Sequence, residues 1–189
     1  MIILLVYGLS ILLFLLILAW ILIPALYGLP SVPTKPERIQ KALKLAKLQT
    51  DEVLYDLGAG DGRVLFIAAR DFGAKAVGLE IGPIQCVLIW LRAVANGWDK
   101  KIRVRWANFY NADLSGADVV FMYATSKEVA KLAPHLEQQM KLGSRLVSIS
   151  ADFPDWEPSV VDEHELIFVY EMPPVSGSLS SYLMKRTNQ

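Results

Sequence analysis

The chain has little cysteine and no net charge. A single thiol, Cys86, among 189 residues excludes an intramolecular disulfide framework and suits a reducing compartment. In the run Cys86-Val87-Leu88-Ile89-Trp90 it reads as a small hydrophobe. With 19 basic against 19 acidic side chains, nothing in the overall charge draws the protein to nucleic acid or another polyanion. Zinc-ligand spacing, a P-loop and a serine nucleophile elbow are all missing, and His135 and His164 stand apart from any Cys or acid at ligand spacing. No metal is therefore expected. Internal repeats and low-complexity tracts are absent too.

Charge is also missing locally. Ile2 to Ile23 carries no charged residue, and as a helix it would span about 33 Å at ~1.5 Å per residue, enough for a bilayer core of ~30 Å. It is too long, and lacks the basic start, for a cleaved signal peptide. Leu, Ile and Val occupy all its faces rather than one stripe, which argues against a core helix. Tyr7, Trp20 and Tyr27 lie near its ends, as interfacial aromatics do. A single transmembrane anchor over 1–23 is expected. The flank that follows holds Lys35, Arg38, Lys41, Lys44 and Lys47 against Glu37 alone, which places the rest of the chain on the cytoplasmic side.

Pro24, Gly28, Pro30, Pro33 and Pro36 mark a linker over 24–36, with one further domain over 37–189. Thr34 is a candidate N-cap for an amphipathic helix with Ile39, Ala42, Leu43 and Ala46 on one face. From Glu52 the pattern alternates. Strands are expected at Val53–Leu57, Ala76–Glu80, Ile102–Ala107, Asp118–Tyr123 and Arg145–Ser150, with helices up to Phe72, over Pro83–Ala95 and over Ser126–Met140. Such alternation predicts an α/β fold: a Rossmann-like, seven-stranded, mostly parallel sheet with helices on both faces. Glu165–Glu171 and Leu179–Lys185 read as two more strands, too close for a crossover helix and so paired as a terminal antiparallel hairpin.

The stretch that organises the rest is Asp56-Leu57-Gly58-Ala59-Gly60-Asp61-Gly62-Arg63. An apolar run that breaks into glycines and restarts as helix is a strand, tight turn and helix. The glycines admit a ligand close to the backbone, and the helix start offers N–H groups. A dinucleotide loop of the G-x-G-x-x-G type would need glycine where Arg63 stands, so a dehydrogenase is disfavoured. Glu80, 20 residues after Gly60, ends the second strand where an acid accepts from both ribose hydroxyls of a nucleoside. After the third strand, Asn108 offers donor and acceptor to an adenine edge and Phe109 a backbone N–H.

D-x-G-x-G-x-G after the first strand, an acid ending the second, a polar residue after the third and a closing antiparallel hairpin resemble the class I S-adenosylmethionine-dependent methyltransferases. A closer resemblance is to membrane-anchored protein-lysine methyltransferases, whose mitochondrial members modify the ATP synthase c-subunit and the adenine nucleotide translocase, and to their prokaryotic relatives. It is carried by Pro30-Ser31-Val32-Pro33-Thr34 after the hydrophobic segment, by Asp61-Gly62-Arg63, and by Phe153-Pro154-Asp155-Trp156-Glu157-Pro158. Two positions depart from the pattern: Asn108 stands where relatives usually have an acid, and Gly82 where Asn or Asp often precedes the proline. The resemblance implies S-adenosylmethionine as cofactor, held by Asp56, Gly58, Ala59, Gly60, Asp61, Arg63, Glu80, Ile81, Asn108 and Phe109. It also implies an acceptor channel lined by the 30–34 segment, Tyr123, Asp152, Asp155 and Trp156, with Trp156 beside acids suited to an alkylammonium. The expected activity is N-methylation of a lysine in a membrane protein. Small-molecule or lipid methylation, and a non-catalytic cofactor-binding module, are the alternatives. Tyr123-Ala124-Thr125-Ser126 lacks the Asn-Pro-Pro-aromatic sequence that exocyclic base-amine methylation would use.

Overall fold

The computed structural model describes residues 2–26 and 34–187. Helix α1 (Ile2–Leu26) is followed by α2 (Pro36–Leu45), β1 (Val53–Leu57), α3 (Arg63–Phe72), β2 (Lys75–Glu80), α4 (Pro83–Ala95), β3 (Ile102–Trp106), β4 (Val119–Tyr123), α5 (Ser126–Gln139) and β5 (Arg145–Ile149). Then come β6 (Trp156–Glu157), β7 (Val160–Asp162), β8 (Ile167–Glu171), β9 (Val175–Ser176) and α6 (Leu179–Thr187).

Seven strands form one sheet in the order β3-β2-β1-β4-β5-β8-β7. The first five are parallel, while β8 pairs antiparallel with both β5 and β7. Parallel strands buried on both faces read as continuous apolar runs, which is why Val119-Val120-Phe121-Met122 and Leu54-Tyr55 are strand interior. One face packs against α2, α3 and α4 through Ile39, Leu43, Leu65 and Ile89. The other packs against α5 and the segment after β5 through Leu132, Leu136, Phe153 and Trp156.

The terminal hairpin is built from other strands than expected. Its first strand is β7, ahead of β8, and Leu179–Lys185 is helical within α6. Leu179, Tyr182 and Leu183 stand at i, i+3 and i+4. Ser178 caps the helix: its Oγ accepts from Ser181 N–H at 3.2 Å while its own N–H donates to Ser181 Oγ at 2.7 Å. Thr34 is not the cap of α2 either. Lys35 takes that position without a side-chain bond, and Thr34 is buried.

Helix α1 runs to Leu26, past the expected boundary at Ile23 and through Pro24. Residues 27–33, most of the expected linker and of the Pro30–Thr34 segment, lie outside the described residues. Side chains within α1 are described from Ile3 to Leu18. That stretch rises about 24 Å at ~1.5 Å per residue, and among the described residues no helix is long and apolar enough to cross a membrane.

Candidate active site

The ends of β1, β2, β3 and β4 meet where the strand order reverses between β1 and β4, the crevice in which such sheets bind ligands. After β1 the chain turns through Gly58, Gly60 and Gly62, all at positive φ. At Gly62 (φ 78) a side chain is refused twice, by the left-handed backbone and because a Cβ would lie 2.9 Å from Ile89 Cγ1.

Most of the loop's N–H groups are already engaged. Gly58 and Ala59 donate to Leu79 O at 2.9 and 3.1 Å, Gly62 to Ala59 O at 2.8 Å, and Arg63 to Asp61 Oδ1 at 3.1 Å. Gly60 donates to Glu80 Oε2 at 2.7 Å. The loop thus offers chiefly the surface of its glycines, with Asp61 N–H as its remaining donor. Glu80 does more than end a strand: its other oxygen accepts Gly82 N–H at 2.8 Å, so one buried carboxylate ties the β1 and β2 loops together. Ile81 O accepts from the Trp106 indole at 2.8 Å and Glu80 O from Ala107 N–H at 2.9 Å, which joins the end of β3 to the same corner.

Asp56 sits under this loop, buried, and burial pushes its carboxyl up to about 8, with the negative charges of Glu80 and Asp61 adding to the effect. Asp61 behaves oppositely. Hydrogen bonding from Arg63 holds it below the usual carboxylate range, and the Arg63 guanidinium meets both its oxygens, at 2.9 and 3.0 Å from Nε. Arg63 also donates to Thr34 O at 2.9 Å, fastening the chain that enters the domain to the glycine loop. Asn108 Oδ1 accepts Tyr110 N–H at 3.0 Å and so caps the short turn Phe109–Asn111. Its amide NH2 is left for a ligand. Phe109 is buried, 3.8 Å from where a Gly58 Cβ would stand.

Sequence reading missed Gln85. Its Oε1 is buried with no partner, and it occupies the space a side chain at Gly82 would fill, since an added Cβ there would overlap it. The departure at Gly82 is therefore matched by a carboxamide one helical turn later, beside Glu80. An orphaned acceptor here would gain its missing bond from a ligand hydroxyl. Gln85→Leu is expected to weaken cofactor binding about 2- to 10-fold, the worth of one neutral hydrogen bond, as read by titration calorimetry.

On the acceptor side, Tyr123 ends β4 half-exposed, and the Arg38 guanidinium lies 5.8 Å from its ring centroid. Arg38, read in sequence only as a flanking charge, also donates to Glu165 O at 2.8 Å and to Ser150 Oγ at 3.1 Å. Tyr123 also lines a small crevice with Leu57, Phe109, Met122, Ala124 and Glu128. Asp152 is half-buried and Asp155 exposed.

Trp156 is placed as an anchor, 6% exposed, stacked on Phe153 at 4.3 Å and edge-on to Tyr170 at 5.8 Å. Its ring fills the core where an alkylammonium site had been expected. Tyr170, fully buried, accepts Phe153 N–H at 2.9 Å, so Tyr170→Phe is expected to cost ~1–3 kcal/mol by orphaning that N–H. A lower urea midpoint at unchanged slope, with cofactor affinity intact, is the measurement. His135 is tied down as well, its Nε2 2.9 Å from Ala112 O.

A doubly covered, mostly parallel sheet, a glycine loop at its switch point, a buried acid at the end of β2 and an amide–aromatic pair after β3 define a class I S-adenosylmethionine-dependent methyltransferase. The ANTKMT methyltransferase domain family matches residues 56–160. A protein-lysine N-methyltransferase of Saccharolobus islandicus (strain REY15A) is 36% identical over 133 residues, 70% of this chain and 83% of that protein. The lysine N-methyltransferase of the ATP synthase c-subunit from Xenopus laevis is 27% identical over 133 residues, 69% of this chain and 57% of that protein, so the match spans little more than half of the vertebrate enzyme. Among solved structures, an RNA methyltransferase from Salinibacter ruber in complex with S-adenosyl-L-homocysteine has a TM-score of 0.72 and 34% identity, covering 77% of this chain and 97% of that one. The chain belongs to the ANTKMT methyltransferase domain family, and its cofactor is S-adenosylmethionine.

The residues present fit that cofactor. Glu80 and Gln85 would offer acceptors to ribose hydroxyls, Asn108 and Phe109 an amide and an apolar wall to adenine, and the glycine loop, with the buried Asp56 carboxyl beneath it, a close-approaching floor for the methionine end.

Proposed function

We propose that this methyltransferase is held at a membrane by α1, with its domain on the cytoplasmic side, and that it N-methylates a lysine in a membrane protein. The observation that carries the substrate class is the 36% identity to an archaeal protein-lysine N-methyltransferase over a stretch that includes the glycine loop. Support for the tether comes from α1. Its side chains from Ile3 to Leu18 are apolar on every side save at Ser10, and the large ones are 38–77% exposed, a surface that needs lipid or another apolar cover. The basic residues from Lys35 to Lys47 set the orientation.

The cofactor, when bound, supplies a methyl group on a positively charged sulfur. The chain's own task is to align an amine with it and exclude water. An incoming lysine must be neutral, which costs about 4.6 kcal/mol at pH 7 from a pKa of ~10.4. A buried approach and a nearby positive charge both lower that cost, so no strong general base is required. Tyr123 is the aromatic at the mouth. It already has one cation, the Arg38 guanidinium, near its ring, and Asp152 and Asp155 stand on the adjoining loop to attract a lysine. Tethering raises the effective concentration of a membrane-bound acceptor without any new contact.

RNA as substrate is the second reading, favoured by the likeness to the Salinibacter enzyme. The balanced charge and Tyr123-Ala124-Thr125-Ser126 after β4 weigh against it. Mass spectrometry of membrane proteins from cells with and without this chain tests the proposal. A lysine methylation lost with the chain and restored by it is expected. An unchanged membrane methylome with a changed RNA or lipid fraction would sink it.

A further inference from the structure

Helix α4 and strand β3 form one end of the sheet, with β3 outermost in the strand order. Of α4 only Ile89 and Ala93 are buried. Val87, Leu88, Trp90, Leu91 and Val94 all stand exposed, as does Trp106 at the end of β3, 71% exposed. On a helical wheel those five side chains of α4 cover its outward half. A helix facing water is polar there; contiguous apolar surface of this kind marks a binding face.

The surroundings say what covers it. In a chain of zero net charge, Ile81 to Asn111 holds Arg92, Lys100, Lys101, Arg103 and Arg105 against Asp99 alone. The same stretch holds three of the five tryptophans, Trp90, Trp98 and Trp106. Arg92 flanks the apolar face, 4.2 Å from the Phe66 ring, and Lys100 is exposed on the turn between α4 and β3; Arg103 and Arg105 are exposed on the other face of the edge strand, where the Arg105 guanidinium lies 5.7 Å from the Tyr55 ring centroid. Apolar side chains with tryptophans, rimmed by cations, match the headgroup–acyl boundary of an anionic leaflet. We propose that the outward face of α4 and Trp106 lie in the surface of an anionic lipid bilayer, a membrane contact made by the folded domain itself and separate from α1. It fixes how the domain sits. The loop after β2 and the end of β3, which border the cofactor site, are brought beside the bilayer, so acceptors close to the lipid surface are reached first.

The test uses the full chain in nanodiscs of mixed phosphatidylcholine and phosphatidylglycerol, with a bimane label on Val87→Cys in a Cys86→Ser background. A second label on Lys127→Cys, exposed on α5 against the opposite face of the sheet, is the control. With brominated lipid, quenching at position 87 is expected to exceed that at 127 several-fold. Adding Leu88→Glu and Leu91→Glu is expected to abolish the difference while cofactor affinity stays unchanged. Equal, baseline quenching at both positions in chain that co-elutes with discs overturns the α4 contact and leaves the α1 tether standing. A blue-shifted but unquenched label with doubled particle mass assigns the face to a second copy and also overturns it. Chain that fails to co-elute with discs overturns the contact and the tether together.

Discussion

Exchanging Glu80 for glutamine is expected to weaken S-adenosylmethionine binding ~100-fold, about 2.7 kcal/mol. Each carboxylate oxygen of Glu80 receives a backbone N–H, from Gly60 at 2.7 Å and Gly82 at 2.8 Å. Glutamine keeps the shape but turns one acceptor into an NH2, setting donor against donor and removing a charge-assisted bond of ~1.5–3 kcal/mol. The carboxylate that ties the β1 and β2 loops together loses one of its two bonds, and a candidate ribose acceptor is weakened at the same time. Calorimetric titration checks this, with Glu163→Gln on the exposed turn before β8 as a control expected to change nothing.

Asp56→Asn is expected to move stability and cofactor affinity in opposite directions. The buried carboxyl is pushed up to about 8 from an ordinary value of 3.8, so the folded protein keeps a proton that the unfolded chain has lost. Between about pH 4 and about pH 8 the native state binds the extra proton. Its contribution is fully present below the unfolded value and falls with rising pH by up to ~1.4 kcal/mol per unit. Asparagine imitates the neutral acid and removes that slope, so the variant gains on the wild type as pH rises and the melting curves separate most near pH 8. A cationic cofactor favours the ionised form. Wild-type affinity should therefore climb as pH approaches 8, whereas the variant should be flat and ~10-fold or more weaker at the alkaline end. Equal pH profiles for the two proteins would show that Asp56 does not titrate in this range.

The five parallel strands and the helices between them were legible because four of the strands are short, mostly apolar runs, β3 alternates apolar residues with arginine, and the helices carry apolar residues at helical spacing. That pattern is local. So was the glycine loop, and with Glu80 it pointed to a nucleoside from residue types and spacing alone. The helix at Leu179–Thr187 was misread as a strand although its cue was present: the Ser178–Ser181 reciprocal cap lies in four consecutive residues. Other features were out of reach because their partners are distant in sequence. Trp156 is an anchor through Phe153 and through Tyr170. Arg38 reaches Glu165 and Ser150 from more than a hundred residues away. Gln85 becomes meaningful only when its carboxamide is seen in the space over Gly82. Most of the loop amides bond to Leu79, Ala59, Asp61 and Glu80, and Arg63 N–H at the helix start, expected to be open, is among them, a network no spacing reveals.

Transfer of a tritiated methyl group from S-adenosylmethionine by the purified full chain in nanodiscs, offered a membrane extract and then separated into protein, RNA and lipid, bears most directly on the central claim. The expected result is label in protein, recovered as methyl-lysine after hydrolysis and greatly reduced with Glu80→Gln. Label in the RNA or lipid fraction, or no label anywhere while the wild-type chain binds the cofactor, would contradict it.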